Sequence, residues 1–142
     1  MTNYELQQRL AFLQKTLKKL KELKSQSFDE FSGDFKISDA ALYNLVVVIE
    51  TIADLANQVI AQKGGAISGN QSEAFRVLGT LGVVDKAMEM GLVRLARLRN
   101  TRAHSYVDVN LQELYMLLRN ELPTVEKVSK ILARELGMEE KR

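Results

Sequence analysis

The residue types best suited to chemistry lie together in one short segment, at positions 99 to 106. It reads Arg-Asn-Thr-Arg-Ala-His-Ser-Tyr and contains the only histidine of the chain. Arginine supplies a planar, permanently charged donor that suits phosphate oxygens, and histidine can exchange a proton near neutral pH. These groups can hold a phosphate and move protons beside it. The segment therefore predicts a centre that acts on a phosphate ester, and RNA is the substrate we expect.

The sequence around this segment is locally basic. No acidic residue lies between Glu89 and Asp108, whereas four arginines do. Arginines on a helix often bind neighbouring carboxylates, so structural ion pairs are an alternative interpretation. The hydrogen-bonding groups of Asn100 and Tyr106 favour phosphate binding. The arginines are Arg94, Arg97, Arg99 and Arg102, of which Arg97 and Arg102, together with Asn100, are predicted to contact RNA phosphates.

Helical geometry sets a condition on this site. At about 100° per residue, Arg99, Arg102 and Tyr106 share one face of a helix, whereas His104 points well away from Arg99. Either the helix breaks near His104, or a second copy of the segment completes the site across a twofold axis. In the second case two protomers pool their histidines, which supplies both an acid and a base.

The composition limits the classes of protein to which this chain can belong. With 142 residues, of which 46% are hydrophobic and 27% charged, the chain fits one folded domain. Without cysteine it has no disulfide or thiolate metal site, and one histidine makes a histidine metal site implausible. We expect no metal and no cofactor, since a metal centre would have to be built from carboxylates. The net charge of +2 does not by itself indicate a partner.

The sequence gives no reason to expect a membrane protein. The N-terminus lacks a basic stretch followed by an apolar run. The longest apolar run, residues 45–49, is far shorter than the roughly 20 residues that cross a bilayer. We therefore expect a cytoplasmic protein without a membrane partner.

The N-terminal quarter of the chain predicts one helix followed by a connection. Thr2 and Glu5 form a capping-box pattern, and leucines then recur every three or four residues, which predicts a helix over about residues 3–25. Residues 25–34 lack a period and are predicted to connect, with Phe28 and Phe31 closing over the core. The other faces of the helix carry five lysines, typical of a solvated surface: Lys15, Lys18, Lys19, Lys21 and Lys24.

Two further helices are predicted before the basic segment. A cap at Ser38 or Asp39 opens the second helix, whose broad apolar stripe predicts a central position or a contact with a partner subunit. It is predicted to end near Gly64. The third helix is predicted over residues 72–81, stopped near Gly82.

The fourth and fifth predicted helices flank the basic segment. Asp85 caps the fourth, and Gly91 inside it indicates close packing against another helix. The fifth starts from a cap at Asp108 or Asn110, and Pro123 predicts a kink or a short break within it. The fold predicted is all-α, an antiparallel bundle of about five helices with a kinked last helix. Residues 1–142 form one domain, with a short charged tail at residues 138–142.

Two other groups of residues were candidates for function. Glu50 and Asp54 lie one helical turn apart and could form a metal-binding or acid–base pair. We favour a role in which at least one of them orients a motif arginine or caps a buried polar group. Tyr43 and Tyr115 are predicted to be packing residues with a hydrated hydroxyl.

The spacing of arginine, four residues, histidine, one residue and tyrosine resembles the signature of the HEPN superfamily. Its tyrosine-containing form is similar to that of the HepT-type toxins. The helix around residues 49–56, the segment 75–84 and the leucine-rich last helix also resemble the corresponding parts of that family. The resemblance covers about residues 1–135 and implies a HEPN-like helical bundle.

This resemblance implies a homodimeric, metal-independent ribonuclease toxin, encoded beside an antitoxin of the minimal nucleotidyltransferase type that silences it by attaching AMP. It implies that Arg99 and His104 are the catalytic pair and that Tyr106 is the AMPylated residue. Asn100 matches the polar residue that commonly follows the arginine. Arg102 stands where relatives usually carry an apolar residue, which indicates either an extra phosphate contact or a side chain facing solvent.

Two other functions remain as alternatives. The first is a noncatalytic HEPN module that binds nucleotide or substrate for a partner nucleotidyltransferase. The second is a structural helical adaptor in which the motif has no chemical role.

The ribonuclease hypothesis also makes a prediction about the substrate. Cleavage through the 2′-hydroxyl of RNA predicts that DNA, which lacks this group, is not cut. Whether the RNA target is tRNA or mRNA is left open.

Overall fold

The structure, a computed structural model, describes residues 1–104 and 110–138, with the side chains of residues 99–104 left aside. The predicted all-helical bundle is confirmed, with six helices in the described residues instead of about five. Their apolar side chains pack into one core. The single domain over residues 1–142 stays a prediction, and residues 139–142 of the charged tail lie outside the described residues. The helices are α1 (Asn3–Lys24), α2 (Phe28–Gly33), α3 (Phe35–Gln62), α4 (Gln71–Thr80), α5 (Lys86–His104) and α6 (Leu111–Glu135).

The extra helix is α2, which occupies the segment predicted to be a connection. Ser27 caps it by accepting a hydrogen bond from the Glu30 backbone N–H at 3.1 Å, while the Glu30 carboxylate accepts one from the Ser27 N–H at 3.0 Å. This capping box satisfies two backbone donors and stabilises a helix of only six residues. Phe31 is fully buried, as predicted, whereas Phe28 stays 38% exposed.

Helix α3 is the central element of the bundle, as its broad apolar stripe predicts. It packs against each of the other five helices. Its predicted start was wrong: Asp34, not Ser38 or Asp39, is the cap and accepts a hydrogen bond from the Lys36 N–H at 2.9 Å. Ser38 is instead buried inside the first turns.

By length and composition alone, α3 could also cross a membrane. However, 67% of its most apolar window is buried by the rest of the fold, as in the central helix of a bundle. Its apolar character is therefore accounted for by packing within the chain, and we keep the expectation of no membrane partner.

The other helix boundaries follow the predicted signals closely. Gly82 has a φ of +75° just after α4, and Gly137 has a φ of +71° just after α6, a backbone conformation that favours glycine at helix ends. Helix α6 continues through Pro123 without the short break that was the alternative to a kink. Both halves of α6 bury apolar side chains in the core, among them Leu118 and Val125, and the kink itself stays a prediction.

The two tyrosines differ in their surroundings. Tyr115 on α6 packs on Phe28 and Phe31, with ring centroids 5.3 and 5.2 Å apart, and its hydroxyl donates to the Gln26 carbonyl at 2.8 Å. Its predicted packing role is confirmed. Tyr43 is 63% exposed and therefore does not have the packing role predicted for it within the described chain.

Candidate active site between helices α5 and α6

Helix α5 carries the motif and is positioned from its first turn. Asp85 accepts a hydrogen bond from the Met88 N–H at 2.8 Å, which confirms it as the cap. Further along, Leu92, Leu95 and Ala96 are buried against the core. Because those positions face inward, the opposite side of α5 is left exposed toward the end that carries the motif.

The motif segment begins on this same helix. The backbone of α5 is helical through His104, so positions 99 and 104 lie on one continuous helix. Five residues at about 100° each place them about 140° apart around its axis. The helix is continuous between these two residues, and its described part ends at His104, so completion by a second copy stays a prediction. The side chains of Arg99, Asn100, Arg102 and His104, and the whole of Tyr106, lie outside the described residues.

Helix α6 begins close to the motif along the chain. Asn110 caps it: its side-chain oxygen accepts hydrogen bonds from the N–H groups of Gln112 at 2.9 Å and Glu113 at 3.1 Å. The alternative cap, Asp108, lies outside the described residues. The positive end of the α6 dipole is thus directed toward the part of the chain where the motif lies.

A groove of about 620 Å³ lies between the motif half of α5 and the first half of α6. Its polar lining combines amide groups with charged side chains of both signs. Arg97, which was predicted to contact phosphate, is exposed and lines this groove. The lining residues are Arg94, Arg97, Leu98, Asn110, Gln112, Glu113, Met116, Leu117, Asn120 and Glu121.

Arg94, which also lines the groove, is bound by a carboxylate. Its Nε donates to Oε2 of Glu121 at 2.6 Å, and Glu121 is only 6% exposed. This hydrogen bond to Glu121 raises the pKa of Arg94 above its usual value. The alternative interpretation of the arginines, structural pairing with a carboxylate, therefore holds for Arg94.

Glu121 is the residue that sequence reasoning missed. It lies three residues after Leu118 and four before Val125, both of which are buried. A glutamate at such a position on the apolar stripe has to meet a cation, because a buried carboxylate without a partner is unfavourable. This spacing was the signal that could have identified it.

Gly91 allows α5 and α6 to approach each other here. A Cβ at this position would lie 2.8 Å from Oε1 of Glu121 and 3.3 Å from Cγ2 of Thr124. The close packing predicted from a glycine inside the helix is thus confirmed. The same approach brings the Glu121 carboxylate within reach of Arg94.

The two acidic candidates, Glu50 and Asp54, both lie on α3, and the partner of Asp54 is not the one that we expected. Asp54 forms an ion pair with Arg9 of α1, and both side chains are about half exposed, at 48% and 44%. Its described partner is therefore not a motif arginine. Glu50 is exposed on α3, and its support of the motif stays a prediction. Among the described side chains, those of residues 1–98 and 110–138, no three acidic residues group together to hold a metal ion.

Comparison with known proteins agrees with the fold. The family model described as Ribonuclease HepT-like matches residues 13–132. The chain is 21% identical over 127 residues to the mRNA nuclease HepT of Shewanella oneidensis, covering 89% of this chain and 95% of that protein.

Two solved structures have the same fold. A tri-AMPylated HEPN toxin of Shewanella oneidensis in complex with an MNT antitoxin superimposes with a TM-score of 0.81 at 20% identity, covering 94% of this chain and 99% of that one. A toxin–antitoxin structure with AMP-PNP gives 0.80 at 20% identity, covering 89% and 96%. Since the family model spans most of the sequence, from the middle of α1 to near the end of α6, this chain belongs to the HepT-like family of the HEPN superfamily.

Proposed function

We propose that this protein is the toxin of a toxin–antitoxin pair and that it cleaves RNA in the cytoplasm without a metal ion. Family membership supports a ribonuclease, and the relative named mRNA nuclease HepT favours messenger RNA over tRNA as the substrate. The observation that carries the mechanism is the continuity of α5 through His104. It separates the two catalytic positions around one helix, which supports a site completed by a second protomer.

The active site is then composite. Two copies of α5 meet about a twofold axis and place Arg99 of one protomer near His104 of the other. One histidine takes the proton of the RNA 2′-hydroxyl, whose oxygen attacks the adjacent phosphorus. The other histidine gives a proton to the departing 5′-oxygen. Arg99 stabilises the extra negative charge on the phosphorus oxygens in the transition state.

The groove between α5 and α6 guides RNA toward this site. Arg97 is exposed on its wall and its guanidinium suits a phosphate oxygen. Arg94 binds Glu121 and shapes the wall. Asn100 and Arg102 extend the phosphate contacts toward the catalytic pair.

Regulation acts on Tyr106. A partner nucleotidyltransferase binds ATP, the tyrosine oxygen attacks the α-phosphorus, and pyrophosphate leaves, so that AMP remains on the phenol oxygen. The added phosphate carries negative charge into a site that binds an anionic substrate, and the nucleotide fills space that RNA needs. The AMPylated toxin and the AMP-PNP complex among the structural relatives support this kind of partner.

The test is cleavage of RNA by purified protein free of AMP, in the presence of EDTA. We expect wild type to cut RNA but not DNA, and we expect Arg99→Ala and His104→Ala to lose at least about a hundredfold in rate. Arg9→Ala is the matched control, because Arg9 pairs with Asp54 on α1 and α3, outside the proposed site.

Two experimental results would support one of the alternative functions instead. Tight nucleotide binding without RNA cleavage would support the noncatalytic HEPN module. Unchanged growth inhibition after joint replacement of Arg99, His104 and Tyr106 would support a structural adaptor. Co-expression with the neighbouring nucleotidyltransferase should raise the mass of the intact protein by whole AMP units, and Tyr106→Phe should abolish that increase.

A further inference from the structure

A second concentration of positive charge lies away from the motif. Residues 15–24 of α1 and 126–134 of α6 together contain eight lysines and arginines but only two glutamates. Because the whole chain has a net charge of only +2, the rest of the sequence is net negative. The solvated face predicted for α1 is thus one half of a larger basic surface.

These two segments border one groove of about 500 Å³. The helices run antiparallel, since Lys21 pairs with Glu126 at 3.5 Å while Arg119 donates to the Lys24 carbonyl at 3.2 Å. Cations line both rims, two from each helix, and Ser129 and Gln14 add polar groups. The cationic residues of the groove are Lys18, Lys21, Lys130 and Arg134.

Lys18 and Lys130 are the best placed to bind a ligand. Both are exposed, they lie on opposite rims, and neither has an ion-pair partner within residues 1–104 and 110–138. The only carboxylate that lines the groove in the described chain is Glu126, which Lys21 already pairs with. Lys18 and Lys130 therefore present positive charge on both rims of the groove.

The burial of the groove floor indicates what class of ligand fits. Its leucines are already covered by the protein: Leu10, Leu13 and Leu17 are 6%, 0% and 7% exposed. Little apolar surface remains for the apolar face of a partner helix, whose docking depends on such surface. A polyanion, in contrast, needs only the exposed cations.

We propose that this groove is a second binding surface for RNA, which holds the phosphate backbone of a strand whose scissile bond lies at the motif. The inference rests on the proposed ribonuclease function, because it assigns the polyanion to the same substrate. Lys130 is 19 residues after the first residue of α6, a separation of about 28 Å along the helix. Only an RNA much longer than the cleavage site reaches both surfaces.

The experiment measures RNA binding separately from cleavage. In a His104→Ala background, Lys18→Gln/Lys130→Gln is compared with Lys36→Gln/Lys86→Gln, which removes two exposed charges that do not line the groove. The probe is a fluorescent single-stranded RNA of about 25 nucleotides, titrated at several salt concentrations. The logarithm of the association constant falls linearly with the logarithm of the salt concentration, and each lost phosphate contact reduces the magnitude of this slope by about 0.7.

We expect the groove variant to bind this RNA about tenfold more weakly at 0.15 M salt, with a salt slope reduced by about 1.4, and the control to match the parent. Lys18→Arg/Lys130→Arg should restore binding. In the background with His104 intact, cleavage of an RNA of about five nucleotides should be unchanged, while the KM for the long RNA rises.

Equal affinity and salt slope for the groove and control variants would overturn the inference. The inference would also be overturned if the groove variant lost binding to the nucleotidyltransferase but still bound RNA, since the groove would then be a protein interface. Failure of the proposed function has a different signature, because RNA cleavage by the wild type would then be absent or independent of Arg99 and His104. The binding comparison does not require cleavage, so the two failures are distinguishable.

Discussion

Arg94 on α5 and Glu121 on α6 form a hydrogen-bonded ion pair at 2.6 Å across the two helices that flank the motif. The carboxylate is buried, whereas the guanidinium is 46% exposed along its side chain. The pair therefore holds α5 and α6 together through a buried carboxylate, while part of the Arg94 side chain remains in the groove. Its loss should affect both the stability of the bundle and the geometry of the site.

Removal of the buried partner tests this relationship. Glu121→Ala should lower the free energy of unfolding by about 1–2 kcal/mol, because a charged hydrogen bond is lost while the freed arginine can turn to water. Arg9→Ala, which breaks the half-exposed Arg9–Asp54 pair, should change it by less than about 0.5 kcal/mol. Urea denaturation measures the change in the free energy of unfolding for both variants. Equal changes would show that the Arg94–Glu121 pair stabilises the protein no more than an exposed ion pair does.

Gly91 should not tolerate a side chain. Alanine usually favours a helix interior over glycine by about 0.5–1 kcal/mol, but here its Cβ would crowd Glu121 and Thr124. We expect Gly91→Ala to destabilise the protein by about 1 kcal/mol in thermal or urea unfolding. Gly33→Ala, where a Cβ meets nothing within 4 Å, is the control and should be neutral or stabilising.

The α2 capping box should make stability depend on pH. The Ser27 backbone N–H, and then its hydroxyl, hold the pKa of Glu30 below its ordinary value of 4.5. A carboxylate with a lowered folded pKa contributes stability above its unfolded pKa, and this is lost as pH falls through the folded pKa. Thermal unfolding from pH 6 to pH 3 should therefore show a smaller decline for Glu30→Gln than for wild type.

Ser27→Ala separates the two hydrogen bonds at this cap. It keeps the backbone N–H, which is the larger cause of the lowered pKa, and it should retain most of the pH dependence. Identical pH profiles for wild type and Glu30→Gln would contradict a role of the carboxylate at the cap.

The composite active site predicts complementation between inactive protomers. Mixed dimers of Arg99→Ala and His104→Ala subunits keep one arginine and one histidine, on different chains. We expect them to regain a small part of the ribonuclease activity that each homodimer lacks, because one arginine and one histidine again face each other but the second histidine, which supplies the other proton transfer, is missing. If both residues acted within one chain, every mixed dimer would stay inactive, so an RNA cleavage assay on refolded mixtures decides between the arrangements.

The sequence predicted well those features that depend on neighbouring residues. The caps at Thr2, Asp85 and Asn110 are hydrogen bonds within three residues, so their residue types suffice to place them. Helix α2 was missed because its six residues are too short to show an apolar period. Its Ser27 and Glu30 already had the spacing of a capping box.

Partners that lie far apart in the chain were harder to predict. The buried partner of Arg94, Glu121, lies 27 residues farther along the chain. Asp54 likewise has its partner, Arg9, 45 residues away. The packing of whole helices sets these pairs, so local spacing carries no information about them.

The central position of α3 has a consequence during synthesis of the protein. When residue 62 has left the ribosome, α1 and α2 can already cover part of this apolar helix, but α4, α5 and α6 have not been made. At about 5–20 residues per second, α6 is completed roughly 4–15 s later. During that interval the growing chain exposes a stretch long and apolar enough to resemble a membrane span, so the nascent protein is most prone to aggregation in the middle of its own translation.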